Sequence, residues 1–118
     1  MASPIIQYVL LRKDLQKKYK YSMGTVIAQV CQACLAANER FKTKPETVQY
    51  LKNYQSMPRV ILQVDDEKAL QQAEELLKSN NLDYHVWVEH PEVQTSIALR
   101  PYSESNVEEY MICFKLYK

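Results

Sequence analysis

One short segment, Glu89-His90-Pro91-Glu92, brings a histidine and two carboxylates together beside a proline. A histidine or a carboxylate held in a loop can take a proton from a water molecule and so act as a general base. Such clusters also occur on solvated loops that carry no chemistry, and the residue types alone leave both interpretations open. We therefore take Glu89 and His90 as the candidate proton acceptors of this chain.

A second candidate feature is Gly24, the only glycine of the chain, which opens a run of small and apolar residues with helical spacing. Free amides and the dipole at a helix N-terminus stabilise an anion or a developing oxyanion, and glycine lets a ligand approach closely. The alternative is an ordinary turn glycine. Phosphate-binding motifs such as GxGxxG are absent from the sequence, so the spacing alone favours neither interpretation.

Other reactive residue types give no catalytic or metal-binding pattern. Cys31 and Cys34 have CxxC spacing but lie inside the helical run, which predicts buried core cysteines. His85 falls in a predicted strand, no second Cys/His pair has zinc spacing, and there is no GxSxG elbow. We therefore expect no metal. An odd total of three cysteines argues against a disulfide scaffold and favours a reducing, cytoplasmic setting.

Charge is distributed unevenly, although the net charge is only +1. Residues 1–60 carry ten Lys and Arg against three Asp and Glu, whereas residues 61–118 carry five against eleven. The densest basic segment is RKDLQKKYKY (12–21), in which two tyrosines are interleaved with Lys17, Lys18 and Lys20. A solvated lysine-rich loop is one interpretation, and a surface that contacts nucleic-acid phosphates is the other.

The hydrophobic pattern predicts one α/β domain over residues 1–118. Predicted strands are 5–12, 58–64, 83–89 and 95–100, and predicted helices begin near residues 25, 45, 66 and 103. We expect a three-layer α/β/α sandwich around a four-stranded mixed sheet, mostly parallel, with one antiparallel pair at the short link after residue 89. The loops 13–24 and 89–95 are expected to meet. No apolar stretch approaches the roughly 18 residues of a membrane span.

Several segments, in the same order and spacing, resemble the type 2 peptidyl-tRNA hydrolase family. They are QYVLLRKDL (7–15), GTVIAQVCQA (24–33), MPRVILQVDDEKAL (57–70), TSIALRPY (95–102) and FKLYK (114–118). The resemblance is strongest to a eukaryotic branch whose members carry a similar GxVxAQxCxA. It implies hydrolysis of the ester between a peptide and the 3′ ribose of tRNA, without metal or cofactor, and it permits a homodimer.

The resemblance also implies a position for the active site. The family's glycine lies at the entry to the first long helix, beside the reacting ester, and the basic loop before it would follow the tRNA backbone. Gly24, Gln29 and Thr95 are retained. Thr25 replaces the family's lysine, Cys31-Gln32 replaces its Ser-His pair, and the Glu89-His90-Pro91-Glu92 segment replaces its Asp-Ala-Gly segment.

These comparisons lead to one set of candidate residues. Glu89 or His90 would activate water. Thr25, Thr95 and helix amides would hold the carbonyl oxygen, and Gln29 and Gln32 would orient the groups around it. The catalytic candidates are Thr25, Gln32, Glu89, His90 and Thr95, and the substrate-binding candidates are Lys17, Lys18, Lys20, Gly24, Gln29 and Arg100. Two alternatives stay open: a protein that binds tRNA or another RNA without cleaving it, and a protein-interaction module with a tyrosine-rich surface.

Overall fold

A computed structural model describes residues 3–118 of the chain. Its elements, in chain order, are β1 (Ile5–Arg12), α1 (Leu15–Tyr19), α2 (Met23–Arg40), α3 (Pro45–Lys52), β2 (Arg59–Val64), α4 (Glu67–Ser79), β3 (Tyr84–Glu89), β4 (Val93–Leu99), β5 (Tyr102–Ser103), α5 (Glu104–Met111) and β6 (Lys115–Leu116). The fold is α/β with a mixed sheet, as the sequence predicts.

The sheet has six strands instead of the predicted four, in the order β3-β4-β1-β2-β6, with β5 paired to β1 beside that row. The two extra strands are only two residues long, so they have no hydrophobic alternation from which they could be predicted. The prediction of a mostly parallel sheet is also wrong. Among the described residues only the β1–β2 pair is parallel, and β4, β5 and β6 all pair antiparallel because hairpins and chain reversals introduce them.

Strand β1 is the centre of the fold, with seven of its eight residues buried. Its side chains alternate between core clusters, as the pleat requires. Leu10 joins Leu70 and Leu77 of α4 together with Val107 of α5, whereas Val9 joins alanines of α2. Helices therefore cover both sides of this strand. The three-layer arrangement of the whole domain stays a prediction.

Local sequence signals set most helix boundaries. Ser22 and Asp66 cap α2 and α4 by accepting the amide hydrogens of Thr25 and Ala69. Asn81, just after α4, has a left-handed φ of 54°, a conformation that asparagine tolerates and that commonly ends a helix. Two predictions need correction. The loop predicted over 13–24 contains α1, and the segment after the helix that was predicted to begin near residue 103 returns as strand β6 instead of ending in a turn.

Within residues 3–118, no helix combines the length and the apolar character needed to cross a bilayer. The packing of α2 explains its many alanines. Ala33 and Ala37 are fully buried against Val9 and Ala98, so this helix lies close to the sheet. That close approach carries polar side chains of α2 to the strand where the candidate site forms.

Candidate functional site

A β-bulge in β4 turns Thr95 toward α2. Trp87 pairs with Ser96 and Val88 pairs with Gln94, so Thr95 has no partner on β3. Successive strand residues normally face opposite sides of a sheet, but here the hydroxyls of Thr95 and Ser96 lie 3.3 Å apart. Bulges re-aim side chains in this way and are frequent beside active sites. The bulge therefore brings two hydroxyls to the α2 side.

Gln29 of α2 holds the Thr95 hydroxyl in one orientation. The Gln29 Nε2 group donates to the Thr25 carbonyl at 3.1 Å, which leaves Oε1 to face Thr95. Thr95 Oγ1 donates its proton to that oxygen at 3.0 Å. Both side chains are almost completely buried. Because a hydroxyl has only one proton and Thr95 gives it to Gln29, the Thr95 oxygen can only accept, so it cannot make the predicted contact with an oxyanion in this arrangement.

The first turn of α2 carries backbone amides that can donate hydrogen bonds to a ligand, which the Thr95 hydroxyl cannot. The Thr25 amide hydrogen is accepted by Ser22 Oγ at 3.1 Å, so this amide is not free. The Met23 and Gly24 amides have no partner within the described chain. A Cβ on Gly24 would meet only Ser22 Oγ, at 3.8 Å. Neither backbone strain nor internal packing requires glycine there, so the exposed position is open to an approaching group.

The hairpin between β3 and β4 places the acid–base candidates beside this helix end. Glu89 is half-buried and pairs with Val93, two residues before Thr95. Tyr21, at the entry to α2, packs with Val93 against one small core cluster, so the two loops meet as predicted. Burial raises the pKa of Tyr21, and the nearby negative charge of Glu89 adds to that rise. His90 is exposed at the hairpin tip.

A buried guanidinium that the sequence analysis missed braces the same region. Arg12, at the end of β1, is fully buried and donates to both carboxylate oxygens of Asp14 at 3.0 and 2.9 Å. It also donates to the Gln94 carbonyl at 3.0 Å and lies 3.7 Å from a Glu67 carboxylate oxygen. Burial lowers the pKa of Arg12, but the hydrogen bonds to Asp14 and Tyr19 together with the charges of these two groups outweigh it, so the net shift is upward. In the sequence Arg12 was hidden because it belongs to a basic run.

The predicted basic surface lies on and after α1. Lys17 and Lys18 form its last turn, and Lys20 follows in a left-handed conformation with φ 61°. All three lysines are exposed, and the Lys18 ammonium lies 5.6 Å from the centre of the Tyr19 ring. Their charges therefore face solvent at the mouth of the candidate site, where they can contact an anionic partner.

Two predicted site residues are not brought into this cluster. Gln32 is exposed on α2, one turn beyond Gln29, and makes no hydrogen bond within residues 3–118. Arg100 lies beyond the opposite end of β4 from Thr95. It donates to Asp83 at 2.8 Å and to Glu46 at 3.0 Å, and it stacks 3.8 Å from the Tyr102 ring. These contacts favour a structural role for Arg100, and substrate binding by Arg100 and Gln32 stays a prediction.

The cysteines and His85 lie outside the cluster. Cys34 is buried as predicted, and burial raises its pKa to about 11. Cys31 is exposed, so the prediction that it is buried is wrong, because the buried stripe of α2 that contains Cys34 does not extend to Cys31. His85 contacts Arg40, and burial followed by that positive charge lowers its pKa. Nowhere in the described chain do three His, Cys, Asp or Glu side chains converge as a metal site.

Comparison with known proteins identifies the class. The family model for Peptidyl-tRNA hydrolase PTH2 matches residues 5–117. Two curated relatives, from Mus musculus and Homo sapiens, both carry the name "Putative peptidyl-tRNA hydrolase PTRHD1". Each is 39% identical to this chain over 116 residues, which is 97% of this chain and 83% of the relative. The chain belongs to the PTH2 family, and the resemblance inferred from the sequence is confirmed.

Proposed function

We propose that this protein hydrolyses the ester between a peptide and the 3′ ribose of tRNA, using water as the nucleophile. Membership of the PTH2 family supports the reaction class. The observation that carries the proposal is the Thr95 hydroxyl, oriented by Gln29 beside the open first turn of α2. A preset acceptor next to unpaired amide donors is what water attack on a carbonyl requires.

In this mechanism Glu89 is the general base, since it is half-buried at the hairpin that leads to Thr95. Water held by Thr95 gives a proton to Glu89 as its oxygen bonds to the ester carbon. The Met23 and Gly24 amides and the Thr25 hydroxyl hold the carbonyl oxygen while it carries negative charge. The intermediate then expels the ribose oxygen, which takes the proton back from Glu89. No atom of a metal or cofactor enters these steps.

The lysines of α1 would supply affinity for tRNA through its phosphates, without selecting a sequence. This assignment gives Lys17, Lys18 and Lys20 a role separate from chemistry. It also sets the protein in translation, and the cytoplasmic location proposed with it agrees with three cysteines that are all free in the structure. A homodimer, which the family resemblance permits, stays a prediction.

The test is release of an N-blocked amino acid from an N-acylated aminoacyl-tRNA by purified protein. We expect multiple turnover that falls at least about 100-fold in Glu89→Gln, the usual scale for loss of a general base. The matched control is His90→Ala, which alters the same hairpin at an exposed residue and should retain most of the rate. Equal loss in both variants would remove Glu89 from its assigned role.

A second candidate function, RNA binding without hydrolysis, is favoured by one specific observation. The side chains that form the hydrogen-bond chain between α2 and β4, Gln29, Thr95 and Ser96, are all neutral. If the acylated tRNA stays intact while the protein binds it tightly at moderate salt, this second function replaces the first.

A further inference from the structure

A lysine-lined groove crosses the edge of the sheet at β6, away from the candidate active site. We call it the β6 groove. Its volume is about 460 Å³, and its lining is Lys13, Gln63, Lys115, Leu116 and Lys118. A second concavity of about 380 Å³ shares Lys13, Gln63 and Lys115 and extends between the end of β2 and α4. The two concavities therefore adjoin the same two lysines, Lys13 and Lys115.

The charges in the β6 groove are not neutralised by protein carboxylates. In the part of the chain that the structure describes, the ion pairs involve Arg12, Arg100, Lys42 and Lys44, and none of the groove lysines. Asp65 is the one carboxylate lining the extension, and none lines the groove proper. Three ammonium groups around one depression attract an anion with repeated charges.

Strand register places the groove at the same end of the sheet as the candidate active site. Ser96 pairs with Leu11, Leu11 pairs with Gln63, and Gln63 pairs with Lys115. These residues therefore form one row across β4, β1, β2 and β6. Three strand spacings separate Ser96 from Lys115, which is about 14 Å. An extended polyanion of a few units can span that distance.

A shared core cluster joins the groove to the basic surface of α1. Leu11, Leu15 and Val26 form this cluster. Tyr19, between the α1 lysines, packs against it from one side, and Tyr117, between Lys115 and Lys118, packs against it as well. The Tyr117 amide donates to the Ile61 carbonyl at 3.0 Å, which fixes the C-terminal segment beside β2. The two groups of lysines therefore flank one rigid part of the molecule.

We propose that the β6 groove binds phosphates of the RNA whose 3′ end occupies the candidate active site. The inference rests on the proposed function, and it assigns Lys13, Lys115 and Lys118 to the nucleotides that precede the ester-linked ribose. The RNA would then contact the protein on two sides, at the α1 lysines and at the groove. Counting charges over the two halves of the sequence does not reveal this surface, because Lys115 and Lys118 belong to the acidic half.

The first experiment measures binding of a fluorescent acceptor-stem RNA hairpin with a single-stranded 3′ end, over a range of salt concentrations. The variant combines Lys13→Gln with Lys115→Gln, the two lysines that both concavities share. We expect Kd to rise about tenfold. The logarithm of the association constant decreases with the logarithm of the salt concentration. We expect this negative slope to become shallower by about 1.4 to 1.8, for two lost phosphate contacts.

The matched control combines Lys52→Gln with Lys78→Gln, which removes the same charge from exposed lysines of α3 and α4. We expect its Kd to stay within about twofold of the unmodified protein and its salt slope to be unchanged. Equal losses of RNA affinity in the two double variants would mean that only net charge matters. That result would overturn the proposal that the β6 groove binds RNA. Thermal unfolding of both variants checks that each is folded.

A second measurement separates the groove from the chemistry. The variant and the unmodified protein are compared on N-acylated aminoacyl-tRNA and on an N-acylated aminoacyl ester of adenosine, which has no phosphate. We expect a KM increase of about tenfold on the tRNA alone, with kcat unchanged on both. If the protein hydrolyses neither substrate, the proposed function fails while the binding slopes still test the groove. If the variant turns over normally and its KM for the tRNA is unchanged, the proposed RNA binding by the β6 groove is wrong, while the proposed function stands.

Discussion

The two ends of β4 carry polar side chains that are used in opposite ways. At one end Thr95 and Ser96 form a neutral hydrogen-bond chain with Gln29, beside the Met23 and Gly24 amides. About 17 Å away, the five-residue distance along an extended strand, Arg100 contacts two carboxylates and an aromatic ring. At the first end the two backbone amides keep their hydrogen-bonding capacity, whereas at the second end the donors of the arginine are satisfied.

We interpret this difference as one between the candidate site and a structural contact. An arginine whose donors are satisfied by Asp83, Glu46 and the Pro101 carbonyl has little left for a ligand. The bulge has the opposite consequence for Thr95: this residue has no pairing partner on β3, and its side chain is directed at α2. We therefore expect substitutions at the Thr95 end to lower kcat, and substitutions at the Arg100 end to lower stability.

The largest effect is expected from Glu89→Gln on the hairpin next to the Thr95 end. Loss of the proton acceptor should reduce kcat by about 10²–10⁴-fold, with little change in thermal unfolding. Single-turnover release from N-acylated aminoacyl-tRNA measures the step directly. A variant that keeps its full rate would show that water is activated elsewhere.

The next effect is expected from Thr95→Val, which keeps the shape of the side chain and removes the hydroxyl. Without the acceptor, water is no longer oriented, and kcat should fall about 100-fold, the scale of one preset hydrogen bond. Leaving Gln29 Oε1 unpaired should also cost about 1 kcal/mol of unfolding free energy. Thr95→Ser is the control, because it restores the hydroxyl and should recover most of the rate. Failure of Thr95→Ser to do so would indicate that packing, and not the hydroxyl, matters.

A smaller effect, on stability alone, is expected from Arg100→Met. The substitution leaves Glu46 without its ion-pair partner and Asp83 with only the longer contact to Lys44, and because both carboxylates are partly exposed we expect a loss of about 2 kcal/mol. Urea denaturation measures the unfolding free energy, and kcat on the same preparation should be unchanged. A fall in kcat or a rise in KM with full stability would support the predicted substrate-binding role of Arg100 instead.

The smallest effect concerns pH at His85, which pairs with Ala98 near the Arg100 end of β4. Burial, and then the charge of Arg40, lower the pKa of His85 below its ordinary value of 6.5. The unfolded chain therefore binds a proton that the folded protein does not. Stability should rise as pH increases from the folded pKa toward 6.5, and level off above it.

His85→Gln should flatten this pH dependence of the unfolding free energy, measured by urea denaturation between pH 5 and 7.5. A slope that is unchanged in His85→Gln would assign it to other groups. Hydrolysis should not respond to the substitution, since His85 lies outside the candidate site.

Much of the architecture was readable from the sequence because local patterns specify it. The mostly apolar run 5–12 predicts a central strand, and β1 is buried on both sides. Alanines at helical spacing predict the close packing of α2, and Asn81 marks the stop after α4. Strands β5 and β6 were missed because two residues carry no periodicity, and strand direction was misjudged because it depends on partners distant in the sequence.

The candidate site was readable only in part. Residue types and the family resemblance identified Gly24, Gln29, Glu89 and Thr95, and the structure gathers them at one end of the sheet. The resemblance did not reveal that Gln29 takes the Thr95 proton, since that depends on which amide atom faces the hydroxyl. Arg100 and Gln32 could not be placed from sequence, because the partners of an arginine or the exposure of a helical residue depend on the packing.

The sequence by itself determined the family, the central strand, the helix caps and the basic segment before α2. These features depend on residues close together in the chain, so composition and spacing are enough to specify them. Only the tertiary structure decided that a bulge turns Thr95 toward Gln29, that Arg12 is buried among Asp14, Gln94 and Glu67, and that Lys115 lies beside Lys13. Each of these depends on strand pairing, which joins residues tens of positions apart and cannot be read from neighbouring residues in the chain.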